Sequence, residues 1–295
     1  MFSPTHFEAE AHRLTKALGG VWHGSSGTAH CPAHDDSTPS LSISPGRTTV
    51  LLHCFAGCTF VDIIRAIRID GALQGRLLLT DPSASGVKVR DFAPLARKIW
   101  SEAGNLSNTL GERYLRKRGL VGPWLDLRFH PRTPIGAGAL VSYRPAIIGA
   151  VRDNSGLMAI HRIALDPRTA GKATDLDRSK LTLGKPRRGA VRLFKAGRTL
   201  GIAEGIETAK SAARMLGIPV WAVLGNERFP LIDIPFDVTR LVLLPDRGAA
   251  GDRAALLATK AYRGLSRVIE TIPPPGGFDD WNEADQAEQG ILAQV

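Results

Sequence analysis

All three cysteines of the chain lie between residues 31 and 58, close to a histidine. Cys31 and His34 are spaced C-x2-H. Cys54 and Cys58 are spaced C-x3-C, and nineteen residues separate His34 from Cys54. Zinc takes four thiolate or imidazole ligands in a tetrahedron, and a tight turn delivers two of them at a time. The spacing therefore predicts a structural zinc site with Cys31, His34, Cys54 and Cys58 as ligands.

Two short segments between these cysteine pairs alternate like strands. They are SLSIS at 40–44 and TTVLLHC at 48–54, with PGR as the turn between them. A hairpin between two ligand turns is a zinc ribbon, in which the metal supplies folding energy that so small a module lacks. His30 and His53 lie beside the ligands and are further candidates. The alternative interpretation is a set of buried cysteines with an unrelated histidine nearby.

Carboxylates follow predicted strands in the last hundred residues. Glu204 ends TLGIAEG, Asp246 ends RLVLLPD, and Asp279 and Asp280 follow the strand SRVIETI after a Pro/Gly stretch. Sites of open α/β sheets lie beyond the carboxyl ends of parallel strands. Clustered carboxylates repel one another unless a hard cation such as Mg²⁺ or Mn²⁺ holds them, and such ions assist phosphoryl transfer. The alternative is that each acid caps a helix N-terminus.

The chain is basic, with 38 Lys and Arg against 28 Asp and Glu. A basic surface attracts polyanions, above all nucleic acid, although solubility or an arginine-rich genome bias would give the same excess. Residues 167–197 are rich in Lys and Arg and show no helical periodicity. This stretch is either a solvated loop or a phosphate-contacting surface. The candidate contacts are Arg162, Lys172, Lys180, Lys185, Arg187 and Arg188.

The predicted elements give a multi-domain α/β chain. An amphipathic helix over 60–67 closes the zinc ribbon, which we assign to residues 1–70. Residues 71–92 lose periodicity and form a linker. Residues 93–195 form a mixed α+β basic subdomain, with two helices and then a hairpin at DNSG. Residues 196–295 alternate strand and helix and form an α/β domain with a parallel sheet.

Several function classes find no support in the sequence. No apolar run is long enough for a transmembrane helix, and the N-terminus lacks the apolar core of a secretory signal. Three cysteines cannot form a complete disulfide set, which favours a reducing, cytoplasmic setting. The phosphate-binding loop G-x4-G-K-[ST] of helicases is absent.

The cysteine-containing segment CPAHDDSTPSLSIS…LLHCFAGCTFVDIIRAI resembles the zinc-binding module of bacterial and phage DNA primases. The likeness covers about 40 residues and extends beyond the ligands. The matching non-ligand residues are Thr38, Pro39, Ser40, His53 and Phe55. The chain departs from the family by one extra residue between Cys54 and Cys58.

The segments AEGIET, LLPDRGAAGDRAA and DDWNE resemble, in order and spacing, the Toprim domain of these primases, of type IA and type II topoisomerases and of some nucleases. The resemblance covers roughly residues 196–285 and implies that Glu204, Asp246 and Asp280 hold Mg²⁺ or Mn²⁺, with Asn282 after the last acid. The family's D-x-D motif would place a second acid at 248, where this chain has Gly248. Two further acids, Asp252 and Glu207, are candidates to assist.

Together the two resemblances imply a DNA primase of phage or plasmid type. Such a protein synthesises short RNA primers on a single-stranded DNA template from nucleoside triphosphates, and a separate replicative helicase is a candidate partner. One alternative is a catalytically degenerate protein that binds single-stranded DNA, which Gly248 favours. Another is a Toprim nuclease, against which the zinc ribbon argues.

Overall fold

The computed structural model describes residues 4–36, 39–46, 49–56, 58, 60–69, 91–136, 141–176, 178–264 and 267–290. The chain divides into two compact units, residues 1–90 and 91–295. Most of the predicted linker, residues 71–92, lies outside the described residues. No helix in the described part of the chain is long and apolar enough to cross a membrane.

The first unit contains two helices and a small antiparallel sheet. Its elements are α1 (Pro4–Ala17), β1 (Val21–Trp22), β2 (Gly27–Ala29), β3 (Leu41–Pro45), β4 (Val50–Cys54) and α2 (Phe60–Ile69). The strands pair in the order β1-β2-β3-β4 within the described residues. Along β4 the side chains alternate, so Val50, Leu52 and Cys54 enter the core while Leu51 and His53 face outward. Helix α1 packs on this sheet, and α2 adds three isoleucines to the same core.

The second unit begins with two helices and the larger, antiparallel part of a sheet. These elements are α3 (Ala93–Glu102), α4 (Leu110–Lys117), β5 (Leu127–Ile135), β6 (Ser142–Asp153), β7 (Gly156–Ala164), β8 (Lys180–Gly184) and β9 (Ala190–Val191). The predicted hairpin at DNSG joins β6 to β7. The two predicted helices are separated by residues 103–109, where Thr109 caps α4 by accepting a hydrogen bond from the backbone N–H of Glu112.

The rest of the second unit alternates strand and helix. Its elements are β10 (Thr199–Ala203), α5 (Ile206–Leu216), β11 (Val220–Ala222), a 3-10 helix (Asn226–Leu231), β12 (Arg240–Leu244), α6 (Ala249–Tyr262), β13 (Val268–Thr271) and α7 (Trp281–Glu288). Strand β10 pairs in parallel with β11 and β12, and β12 pairs in parallel with β13. Consecutive residues of β12 enter two separate core clusters, as expected for a parallel strand covered on both faces.

One sheet runs through the whole second unit. Its nine strands, counted over the described residues, follow the order β13-β12-β10-β11-β9-β6-β7-β8, with β5 added beside β6. The short strand β9 joins the two halves because it pairs with β6 on one side and β11 on the other. The α/β class and the parallel strands of the C-terminal part are therefore as the sequence predicted. The boundaries at 70, 92 and 195 stay predictions.

Candidate active site and metal centres

The four predicted zinc ligands come together in the first unit. Their ligand atoms all lie within 4.8 Å of one another, and Nδ1 of His34 lies 3.2 Å from Sγ of Cys58. The sheet register explains this convergence, because Leu41 of β3 pairs with Ala29 on one side and Cys54 on the other. The two ligand turns therefore leave the sheet at the same end.

Asp36 contacts two of the cluster's ligand residues, Cys31 and His34. Its carboxylate accepts hydrogen bonds from the backbone N–H of Cys31 at 2.6 Å and from the hydroxyl of Ser40 at 2.7 Å. It also lies 3.5 Å from Nε2 of His34, the ring nitrogen opposite the one that faces the cysteines. Zinc-binding histidines commonly donate their second nitrogen to a carboxylate, which fixes the ring orientation.

The donor set fits zinc. Burial raises the pKa of Cys31 to about 12, and burial together with the charge of Cys54 raises that of Cys58. Three thiolates this close therefore need a cation between them. The two spare histidines lie elsewhere, since Nδ1 of His30 faces the carbonyl of Asp36 and His53 packs edge-to-face with Phe55 at the exposed face.

Glu204 and Asp246 leave the parallel sheet at the same edge. Glu204 follows the last residue of β10, and Asp246 lies two residues beyond β12. These strands are neighbours, with Ala203 paired to Leu244. Asp280 caps the N-terminus of α7, where its carboxylate accepts a hydrogen bond from the backbone N–H of Glu283 at 2.8 Å. The helix-capping alternative thus holds for Asp280.

The three acids act on one another electrostatically. Burial, and then the charges of Glu204 and Asp280, raise the pKa of Asp246 to about 7. Burial, then the charge of Glu227, and more weakly that of Asp280, raise the pKa of Glu204. Oδ1 of Asp246 is buried and accepts no hydrogen bond from the residues that the structure describes. A divalent cation would relieve this repulsion, so the residues fit Mg²⁺ or Mn²⁺. A group of three or more His, Cys, Asp or Glu side chains within metal-binding distance of one another occurs, among the described residues, only in the Cys/His cluster. The three acids do not form such a group.

Lys180 is a cation that acts electrostatically on two of these acids. Its charge opposes the pKa rise of both Glu204 and Asp246. An ideal Cβ placed on Gly205 would lie 4.0 Å from Nζ of Lys180, so the ammonium lies against the turn that follows Glu204. This placement agrees with a role in binding phosphate next to the carboxylates.

Glu207 holds Lys180 in this position. Its side chain is buried, and its carboxylate lies 3.0 Å from Nζ of Lys180 and 3.6 Å from Nζ of Lys172, while the hydroxyl of Tyr114 donates to it at 2.8 Å. Burial alone would raise the pKa of Glu207, but the two lysines and the tyrosine outweigh it and hold the pKa at about 2. With both oxygens engaged, Glu207 is not placed to assist as a metal ligand.

Arg247 anchors the loop that carries Asp280. Its guanidinium donates to the carbonyls of Pro274, Pro275 and Phe278 at 2.7–3.1 Å, and its backbone N–H donates to the carbonyl of Asp279 at 2.8 Å. No sequence motif pointed to Arg247, because it occupies the variable position of D-x-D. It links the end of β12 to the third acid.

Replacing Arg247 with leucine is expected to weaken Mn²⁺ binding about tenfold, since loss of an outer-shell support typically lowers metal affinity 10–100-fold. Titration of Mn²⁺ followed by electron paramagnetic resonance measures this directly. Arg240→Leu is the matched control, because Arg240 begins the same strand at its other end and its side chain pairs with Glu270 on the exposed surface. Equal affinities for the two variants would contradict the role of Arg247.

The backbone conformation at Gly248 favours glycine at this position. Its backbone has φ +119° and ψ 170°, a region that is essentially restricted to glycine. An ideal Cβ there would meet nothing within 4 Å, so space is available but the backbone is unsuitable. An aspartate at 248 would carry strain of order 1–3 kcal/mol. Asp252 lies exposed in the first turn of α6, after this glycine.

The predicted nucleic-acid contacts fall into three groups. Arg162 is buried in β7 and donates to the carbonyl of Pro134, so a direct phosphate contact is the wrong assignment for it. Lys172 and Lys180 pair with the buried carboxylate described above. The exposed residues of the set are Lys185, Arg187 and Arg188, of which Arg188 pairs with Asp233.

Comparison with protein families finds two adjoining matches. Residues 90–193 match a "Domain of unknown function (DUF7146)", and residues 199–289 match the Toprim domain. No curated protein matches the chain. The Toprim domain recognised in the sequence is thereby confirmed.

The solved structures to which the chain is similar include several primases. A DNA primase domain from Pseudomonas aeruginosa shares 14% identity, with a TM-score of 0.45 over 69% of this chain and 78% of that one. The Aquifex aeolicus primase, with its zinc-binding and RNA polymerase domains, shares 14% identity, with a TM-score of 0.43 over 99% and 85%. The primase fragment of the bacteriophage T7 primase-helicase shares 14% identity, with a TM-score of 0.42 over 90% and 98%.

Proposed function

Because the chain carries a Toprim domain, we propose that it is a DNA primase that synthesises short RNA primers on single-stranded DNA. The observation that supports this proposal is that Glu204 and Asp246 follow neighbouring strands at one edge of the Toprim sheet and interact electrostatically with Asp280 and Lys180. The Cys3His cluster in the same chain favours a primase over a topoisomerase or a nuclease.

The side chains of this group have separate roles in the proposed reaction. Glu204, Asp246 and Asp280 would hold Mg²⁺ or Mn²⁺, which neutralises charge on nucleotide phosphates when bound. Lys180 receives a phosphate of the incoming nucleoside triphosphate. The 3′-hydroxyl of the primer then attacks the α-phosphorus, and pyrophosphate leaves. Glu207 keeps Lys180 in place, and Arg247 keeps Asp280 in place.

We assign the template to two exposed surfaces. In the second unit, Lys185 and Arg187 are exposed and available to contact phosphate. In the zinc module, Leu51, His53 and Phe55 are exposed on and just after β4, and aromatic rings of this kind stack on unpaired bases. We further propose that the protein is cytoplasmic and is encoded by a phage, a plasmid or an integrated element. A separate replicative helicase would be its partner.

The glycine-restricted backbone at Gly248 favours a second candidate, a protein that binds single-stranded DNA without catalysis. The site then has three acids and no carboxylate at position 248. This candidate requires salt-sensitive DNA binding and no nucleotide incorporation.

Primer synthesis on single-stranded DNA tests these alternatives. The full chain is incubated with labelled ribonucleoside triphosphates and Mg²⁺ or Mn²⁺, beside a Glu204→Ala variant. Short labelled products from the wild type but not from Glu204→Ala support the primase. DNA binding without product supports the binding protein. Metal-dependent cutting without nucleoside triphosphates supports a nuclease, and absence of all three contradicts every candidate.

A further inference from the structure

A cavity of about 190 Å³ lies beside α5. The residues Lys210, Ala213 and Arg214 of this helix line it, at the i, i+3 and i+4 positions that share one helix face. Much of the remaining wall is apolar, contributed by Leu120, Val121, Pro123 and Phe194. None of these residues belongs to the acid group or to the zinc cluster.

Lys210 is a buried cation without a carboxylate partner among the described residues. The residue is 6% exposed. The ammonium donates one hydrogen bond, to the carbonyl of Pro123 at 3.1 Å, although an ammonium has three donors. It otherwise lies against the rings of Trp124 and Phe194, 4.8 and 4.7 Å from their centroids. Burial lowers the pKa of Lys210 to about 8, since the rings do not replace the lost hydration.

Asp285 provides a second unsatisfied group at the same cavity. Its side chain is fully buried. Oδ1 accepts hydrogen bonds from Arg214 and Gln289, but Oδ2 is buried and accepts none from the described residues. A buried acceptor without a donor is unfavourable by about 1–3 kcal/mol. The cavity therefore offers spare hydrogen-bond donors at Lys210, whereas Oδ2 of Asp285 lies within the wall and not on its surface.

The charges around the cavity select the ligand. Among the charged side chains that line the cavity, Arg214 pairs with Asp285, so the charge left without a counterion in the lining is the positive one on Lys210. We propose that this cavity binds a small organic monoanion with an apolar body. Its carboxylate accepts hydrogen bonds from Lys210, and its body packs against Leu120 and Phe194.

The test compares three probes on the full chain by isothermal titration calorimetry. 4-Hydroxybenzoate carries the carboxylate, the ring and the hydroxyl. 4-Hydroxybenzyl alcohol lacks only the charge, and benzoate lacks only the hydroxyl. We expect 4-hydroxybenzoate to bind at least about tenfold more tightly than the alcohol, which loses the charged contact to Lys210, and benzoate to bind about as tightly as 4-hydroxybenzoate.

A Lys210→Met variant keeps the length and apolar stem of the side chain but removes the charge. It should bind the acid and the alcohol equally, whereas the control Lys98→Met, on exposed α3, should retain the wild-type preference. Acid and alcohol binding equally to the wild type, or no saturable binding of 4-hydroxybenzoate at millimolar concentration, would overturn the proposal. The wild-type comparison decides even where Lys210→Met does not fold.

Discussion

Removing zinc from the chain is expected to unfold the first unit and to leave residues 91–295 folded. The core of the first unit is small, and two of the ligands, Cys31 and Cys54, are themselves buried members of it. Structural zinc contributes about 10–16 kcal/mol in small zinc-finger peptides, more than so small a core supplies without metal. Limited proteolysis with mass spectrometry, with and without a zinc chelator, measures this effect. New cleavage sites should appear before residue 70 and not beyond residue 91.

Two histidine variants test the ligand set behind this expectation. His34→Ala should release zinc and produce the same cleavage pattern as the chelator. His53→Ala is the matched control, because His53 lies on a strand face that points away from the cluster and packs against Phe55. Retention of zinc by His34→Ala together with its loss from His53→Ala would show that the ligand assignment is wrong.

The Cys/His cluster and the placement of Glu204 and Asp246 at one sheet edge could be predicted because short-range rules place these residues. Each zinc pair lies on one turn, so spacing along the chain is nearly spacing in three dimensions. Glu204 and Asp246 each follow a strand, and parallel neighbours bring such positions to one edge of the sheet. Predicting these positions does not require knowing which loop faces which edge of the sheet.

The supporting residues could not be predicted because their partners are distant in the sequence. Glu207 accepts a hydrogen bond from Tyr114, 93 residues earlier, and the helical pattern around Glu207 gives no hint of it. Arg247 binds carbonyl groups, which sequence motifs do not record. The charge of Arg162 predicts a surface position, but β7 is buried along six consecutive residues, and the guanidinium donates to a backbone carbonyl.

Replacing Glu207 with glutamine is expected to destabilise the second unit by about 3 kcal/mol. The pKa of Glu207 falls from an ordinary 4.5 to about 2 in the folded chain, and a difference of one in pKa corresponds to about 1.4 kcal/mol. Removing one partner of a buried ion pair also leaves Lys172 and Lys180 without their counterion. Urea unfolding followed by tryptophan fluorescence measures the loss, since four of the five tryptophans lie beyond residue 91.

The lowered pKa of Glu207 also determines how the loss of stability in Glu207→Gln depends on pH. A carboxylate whose pKa is lowered by folding stabilises the fold fully above its unfolded pKa of about 4.5, and this contribution is lost as the pH falls toward 2. The difference between wild type and Glu207→Gln should therefore be constant near neutral pH and shrink below about 4.5. Glu270→Gln, which removes an exposed pair with Arg240, should lower stability by less than about 1 kcal/mol. Equal losses for the two variants would contradict the role of Glu207.

Glu207→Gln should also weaken Mn²⁺ binding, although Glu207 is not placed to contact the ion. Lys180 lies between Glu207 and the acid group, and without the charge of Glu207 its ammonium would pair more strongly with Glu204 and Asp246. It would then compete with the cation for their oxygens. The double variant Glu207→Gln/Lys180→Met removes this competitor, so it should bind Mn²⁺ more tightly than Glu207→Gln alone. A purely structural role of Glu207 predicts the opposite order, because the double variant lacks both partners of the buried pair.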